Sequence, residues 1–213
     1  VCGKELLMLV KKDGTSCALG AAKNGNMDVL RCLYELCGKD VLMLVDEDGW
    51  SCALVAARAG HLDVLRCLHE LCGKDVLMLV DEAGRSCAYL AASNDYIDML
   101  RWLYEVCGKD VLMLVKKDGT SCAHAAAQDG HIDMLRWLHE VCGNDLLMLV
   151  DEDGWSCALF AARAGQLNVL RWLYELCGKE LLMLVDEAGR SCAYLAASND
   201  YIDMLRWLYE VCG

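Results

Sequence analysis

Fifteen cysteines are the residues of this sequence most able to do chemistry. Six of them recur every 35 residues, each directly after a serine: Cys17, Cys52, Cys87, Cys122, Cys157 and Cys192. A thiol at a helix N-terminus can become a reactive thiolate, because the helix dipole lowers its pKa. No lysine or arginine stands regularly beside these cysteines, so we predict small, buried apolar side chains instead.

Zinc binding is a second chemistry that cysteine and histidine could support. The sequence contains no Cys-X-X-Cys motif, but His69 and Cys72 are three residues apart and could share one face of a helix. His139 and Cys142 repeat that spacing. Tyrosine replaces these histidines in other copies of the pattern, which favours a half-exposed amphipathic position. We therefore predict no metal and no cofactor.

Ser121 and His124 could be a nucleophile and its base, since a hydroxyl needs an adjacent base for activation. The five histidines, however, occupy three different positions of the repeating pattern and do not converge on one site. We predict that the chain is not an enzyme.

Equivalent cysteines of neighbouring helical units would stand about 10 Å apart, beyond the roughly 7 Å over which a disulfide forms. Free thiols fit a reducing compartment. The longest aliphatic runs, such as VLMLV, are too short for a bilayer, which needs about 20 residues, and no signal-peptide pattern opens the sequence. These features predict an intracellular, cytoplasmic protein.

The formal net charge is −12, and basic residues never cluster beyond pairs such as Lys11 and Lys12. This charge balance argues against nucleic acid and anionic lipid as partners.

The whole sequence is built from a 35-residue repeat. A longer period of 105 residues lies over it, since residues 81–108 recur unchanged at 186–213. We predict a single array over residues 1–213, because such units bury their apolar faces only against their neighbours. Its repeats are 11–45, 46–80, 81–115, 116–150, 151–185 and 186–213.

One repeat, residues 46–80, predicts two helices and a linker. Ser51 is a suitable N-cap for a helix over Cys52–Ala59, which Gly60 would end in the left-handed conformation. A second helix is predicted over Leu62–Cys72, stopped by Gly73.

Three further predictions concern the rest of the repeat. In the linker, residues 39–42 could form one helical turn, with 43–45 extended. On the second helix, arginine precedes glutamate by four residues, as Arg31 precedes Glu35, so exposed ion pairs are expected there. Tryptophans at one position of that helix indicate packing between repeats: Trp102, Trp137, Trp172 and Trp207.

The order DG, SCA, AA, GH and LDVLRCLHE resembles the ankyrin repeat, whose unit reads roughly DGxTPLHxAAxxGHxxVVxLLL. The resemblance covers all six units. Serine and cysteine replace threonine and proline, and the histidine of the motif stands only at His124. Asp95-Tyr96 and Asp200-Tyr201 replace Gly-His. The resemblance implies an all-α solenoid of six helix-turn-helix repeats, in which Ser121 and His124 tie the helix start to its neighbour by a hydrogen bond.

In ankyrin-like proteins the turn tips and the first-helix faces line the binding surface, and these are the positions that vary here. At the tips we expect exposed anchors for a protein partner, of residue types common at interfaces: Trp50, Arg85, Trp155 and Arg190. On the first-helix faces the corresponding candidates are Val55, Leu90, Phe160 and Leu195.

A structural role is the alternative function. The last helix is identical to an interior copy, so its apolar flank is expected to face water, and head-to-tail stacking of chains would build a filament. The candidate stacking residues are Leu205, Trp207, Leu208, Leu6 and Leu9.

Overall fold

The computed structural model describes residues 2–212, and their regular secondary structure is entirely helical. The α-helices are α1 (Cys2–Leu7), α2 (Cys17–Lys23), α3 (Met27–Cys37), α4 (Cys52–Ala59), α5 (Leu62–Cys72), α6 (Cys87–Ser93), α7 (Ile97–Cys107), α8 (Cys122–Asp129), α9 (Ile132–Cys142), α10 (Asn144–Leu147), α11 (Cys157–Arg163), α12 (Leu167–Cys177), α13 (Cys192–Ser198) and α14 (Ile202–Cys212). The chain divides into two compact units, Val1–Lys116 and Lys117–Gly213.

Local capping signals fix the two helices of each repeat. The Ser51 hydroxyl accepts a hydrogen bond from the Leu54 N–H at 3.2 Å, which satisfies an otherwise unpaired donor at the start of α4. Gly60 ends α4 with φ +79° and ψ 15°, a left-handed conformation that costs glycine little. The observed bounds of α4 and α5 agree with the sequence prediction.

A short helical turn follows each of the first five second helices. Four of these turns are 3-10 helices: Lys39–Leu42, Lys74–Met78, Lys109–Val111 and Leu181–Met183. The predicted turn over residues 39–42 is confirmed, but Met43 keeps helical dihedrals (φ −94°, ψ −2°), so the prediction of an extended Met43 is wrong.

Within each unit, first helices pack on first helices. Helix α2 contacts α4, which contacts α6, and in the second unit α11 lies between α8 and α13. Alanines such as Ala53, Ala56 and Ala57 are fully buried, so the small side chains allow the backbones to approach closely. The all-α class and the ankyrin-like stacking of helical hairpins are thus confirmed.

The second helices supply the larger side chains. Trp207 meets the ring of Tyr174 edge to face, with 5.9 Å between the ring centroids. Trp102 meets His69 in the same way at 6.0 Å. These contacts join consecutive repeats and confirm the packing role predicted for this position.

The expected ion pair between Arg31 and Glu35 is replaced by one between repeats. The Arg31 guanidinium lies 2.7 Å from the Glu70 carboxylate of the next second helix. In the next repeat, Arg66 lies 3.7 Å from Asp63, three residues before it. The packing of α3 against α5 brings Glu70 within reach, which spacing along a single helix does not reveal.

Candidate protein-binding surface

A hydrogen-bonded turn forms the tip of each repeat, and Asp46 shows its geometry. Its Oδ1 accepts from the N–H of Asp48 at 3.1 Å and from the N–H of Trp50 at 2.8 Å. Neighbouring tips are joined by their backbones, because the Glu82 N–H donates to the Asp48 carbonyl at 3.0 Å. Gly49 has φ +80°, and a Cβ there would lie 2.9 Å from the Glu82 nitrogen. At Gly49 there is therefore no room for a side chain between this tip and the next.

The tryptophans that follow these turns are buried, so the expectation that Trp50 and Trp155 are exposed is wrong. Only 8% of Trp50 and 6% of Trp155 is accessible. The Arg58 and Arg85 guanidiniums lie 5.3 and 4.7 Å from the Trp50 ring centroid, where cations are attracted to the ring. Each indole is thus a packing element between neighbouring tips.

Arg85 and Arg190 occupy the equivalent tip position and are half-buried. Arg85 Nε donates to Asp81 Oδ2, and Arg190 Nε donates to Asp186 Oδ2, both at 2.5 Å. Each guanidinium is therefore already held by a buried carboxylate.

The four candidate positions on the first-helix faces divide into two kinds. Val55 and Phe160 are half-buried and border open surface. Leu90 and Leu195 are only 4% and 5% exposed, so their side chains belong to the apolar core. The expectation that they lie on an open face is wrong.

A groove of about 560 Å³ runs along the first unit between the tips and first helices of its first two repeats. Leu19, Gly20, Val55 and Trp50 line it with apolar surface. Its charged lining comes from both edges: Lys11, Asp13, Asp46 and Asp48 at the tips, and Lys23 and Arg58 near the helix ends. The structure thus brings Val55 and Trp50 together in one concave site.

Sequence reasoning missed Lys23 and Arg58 as members of this site. Gly20 was a usable signal, because glycine inside a helix costs about 1 kcal/mol relative to alanine and therefore has a reason to be there. A Cβ built on Gly20 meets no atom within 4 Å, so the glycine opens space.

Ser121 and His124 form hydrogen bonds that hold the start of α8 in place. His124 Nδ1 accepts from the Ser121 N–H at 3.0 Å, and Nε2–H donates to the Leu149 carbonyl at 2.9 Å. His124 is fully buried, and burial lowers its pKa below the usual value. Both ring nitrogens are occupied by structural hydrogen bonds, as the resemblance implied.

Five of the six thiols that follow the serine caps are buried, but Cys17 is exposed, so the prediction of burial is wrong for Cys17. Cys52 and Cys87 are fully buried, and burial raises the pKa of each to about 12. The fourteen cysteines from Cys17 to Cys212 are all free. Across residues 2–212, no three histidine, cysteine, aspartate or glutamate side chains are grouped to hold a metal ion.

The candidate stacking residues lie near the two ends of the sequence. Leu6 and Leu9 are 67% and 66% exposed. Leu205 and Trp207 are half-buried, whereas Leu208 is buried, so its expected exposure is wrong. An apolar groove of about 630 Å³ lies beside Leu205.

Together, the stacked helical hairpins and joined tips define a helical repeat protein with a concave surface inside its first unit. The family description "Ankyrin repeats (3 copies)" matches residues 18–115, 107–183 and 123–213. The chain belongs to the ankyrin repeat family. A comparison with curated proteins found no similar sequence. None of the helices within residues 2–212 has the length and apolar character needed to cross a membrane.

Proposed function

We propose that the chain is a noncatalytic scaffold that binds a protein partner through its turn tips and first-helix faces. Ankyrin repeats indicate a protein–protein interaction scaffold. The groove of the first unit is the observation that carries the finer proposal, because it combines apolar floor, tip carboxylates and helix-end cations in one concavity. The free thiols support an intracellular, cytoplasmic location.

A photo-crosslinking residue placed at two positions tests the proposal. One chain carries benzoyl-phenylalanine in place of Val55, in the groove, and the other carries it in place of Glu35, an exposed residue of α3. Both chains are expressed in living cells and irradiated. We expect a discrete crosslinked protein from position 55 and only background from position 35. Equal crosslinking at both positions would contradict the proposal.

We propose end-to-end association of chains as a second candidate function. The segment CGKELLMLV occurs identically at residues 2–10 and 177–185. In the later copy, Leu181 is 1% exposed and its turn packs against α12 and α11, whereas Leu6 of the first copy is 67% exposed. The last hairpin of another chain could cover Leu6 as α12 covers Leu181.

Sedimentation velocity over a range of concentrations tests this second candidate. We expect the wild-type chain to form larger species as concentration rises, and Leu6→Asp to remain small. Val45→Asp is the matched control, since Val45 is also an exposed aliphatic residue but lies away from the proposed contact. A wild-type chain that stays monomeric at every concentration would rule the association out.

A further inference from the structure

The two 105-residue modules are closely similar, yet they differ at four of the twelve residues that line the groove. Gly20, Lys23 and Val55 in the first unit become Ala125, Gln128 and Phe160 in the second, and the buried Leu19 becomes the buried His124. These positions lie on first helices and face the same site, whereas the other differences between the modules lie outside the groove. The chain thus carries two versions of one surface.

The apolar part of the groove has more free volume in the first unit than in the second. In the first unit Gly20 borders open space and Val55 is half-buried, which leaves room for a bulky side chain. In the second unit the Phe160 ring lies against Trp155, with 5.4 Å between centroids, and against His124, with 5.2 Å. Phe160 occupies with its own ring the position where Val55 leaves space.

The charges of the first groove are arranged by edge. At the helix-end edge, Lys23 and Arg58 form no ion pair with any carboxylate in residues 2–212, although Arg58 also lies over the Trp50 ring. At the tip edge, Lys11 lies 3.1 Å from Asp13, and Asp46 and Asp48 add two further carboxylates, so the groove is more acidic at this edge. Two unpaired cations at one edge favour a carboxylate there. The chain's net charge of −12 disfavours a long acidic run, so a single carboxylate fits best.

From this arrangement we infer that the first groove binds a peptide segment of a partner protein that carries a bulky apolar side chain close to one carboxylate. The apolar side chain enters the space over Gly20 and beside Val55, and the carboxylate meets Lys23 and Arg58. The second module does not accept this segment, because Phe160 fills the apolar space and Gln128 replaces one cation. The inference rests on the proposed function and names the ligand class and the specificity residues of that site.

A library of random peptides displayed on phage, selected on the immobilised full chain, supplies the probe. We expect the enriched peptides to share a large apolar residue within a few positions of aspartate or glutamate. A synthetic peptide of that sequence should bind the wild-type chain once, as measured by calorimetry. The triple variant Gly20→Ala, Lys23→Gln and Val55→Phe should weaken that binding by about tenfold or more.

The second module provides the matched variant, Ala125→Gly, Gln128→Lys and Phe160→Val. We expect it to keep the first site and gain a second, so that two peptides bind per chain. Circular dichroism and thermal melting of both variants verify that they fold. If Phe160→Val lowers the melting temperature strongly, the first triple variant still decides the question.

Three results would overturn the inference: no enriched peptide, enriched peptides without a carboxylate, or unchanged affinity in the first triple variant. The crosslinking at position 55 separates these failures from a failure of the proposed function. A partner crosslinked at Val55 together with unchanged peptide affinity leaves the scaffold proposal standing and removes only the ligand class. If no partner is crosslinked at Val55 and peptide affinity is also unchanged, both the scaffold proposal and the ligand class are refuted.

Discussion

Replacing Trp50 by alanine tests whether the tip tryptophan is a packing element or a free anchor. A buried tryptophan removes about 150–250 Å² from water, which at about 25 cal/mol per Å² corresponds to about 4–6 kcal/mol. Because Trp50 is 8% exposed and alanine retains part of this burial, we expect Trp50→Ala to lower the free energy of unfolding by about 3–5 kcal/mol. Loss of the contacts with Arg58 and Arg85 contributes to this value.

Urea unfolding followed by circular dichroism measures the global effect, and hydrogen exchange of the α4 amides measures the local one. The local measurement is needed because repeat arrays can unfold in parts. Glu47→Ala is the matched control, since Glu47 is exposed on the same tip and only its backbone N–H is bonded to the neighbouring tip. Its effect should stay within about 0.5 kcal/mol.

A Trp50→Ala variant as stable as the control would refute the reasoning, because a solvent-exposed indole contributes little to folding. Trp155→Ala gives an independent check in the second unit. Trp155 also packs against Phe160, with 5.4 Å between ring centroids, so its loss should cost at least as much as the loss of Trp50.

Four further substitutions or reactions check other parts of the structure. Gly49→Ala should destabilise the chain measurably in urea, because its Cβ would lie 2.9 Å from the backbone of the next tip; an unchanged midpoint would contradict that contact. Asp200→Gly should raise the unfolding free energy by about 0.5–1 kcal/mol, since Asp200 has φ +62° and only glycine adopts this conformation without strain; a loss of stability would indicate that the aspartate side chain is needed. Burial lowers the pKa of His124, so on acidification the unfolded state binds a proton before the folded state does. The free energy of unfolding should therefore fall as the pH drops below about 6.5, by at most about 1.4 kcal/mol per pH unit. His124→Leu should lose this part of the pH dependence, and identical pH profiles of wild type and variant would disprove the role of His124. Iodoacetamide followed by mass spectrometry should modify exposed Cys32 quickly and Cys52 only on unfolding, because burial raises the Cys52 pKa to about 12.

The helices were predictable because their signals are local. Ser51, Gly60 and Gly73 act on the residues directly beside them, so the bounds of α4 and α5 could be read from a single repeat. The repeat itself revealed the stacking, since a hairpin with one apolar face must bury it against a neighbour.

The surface was less predictable because its contacts join residues far apart in sequence. Trp50 is covered partly by Arg85 of the following tip, 35 residues later, so its type and position suggested exposure while its neighbours enforce burial. Arg31 likewise meets Glu70 rather than Glu35. Lys23 and Arg58 were missed because each looks like an ordinary exposed helix-end residue until α2 and α4 are placed side by side.

Two backbone acceptors hold the first two repeats together at opposite ends of the groove. At the tips the Glu47 N–H donates to the Asp13 carbonyl at 3.2 Å, and at the far loops His61 Nε2–H donates to the Lys23 carbonyl at 3.0 Å. A cleft braced at both ends is already shaped before any ligand arrives. Little conformational entropy is then lost on association, so even a short, weakly interacting segment can be retained with useful affinity.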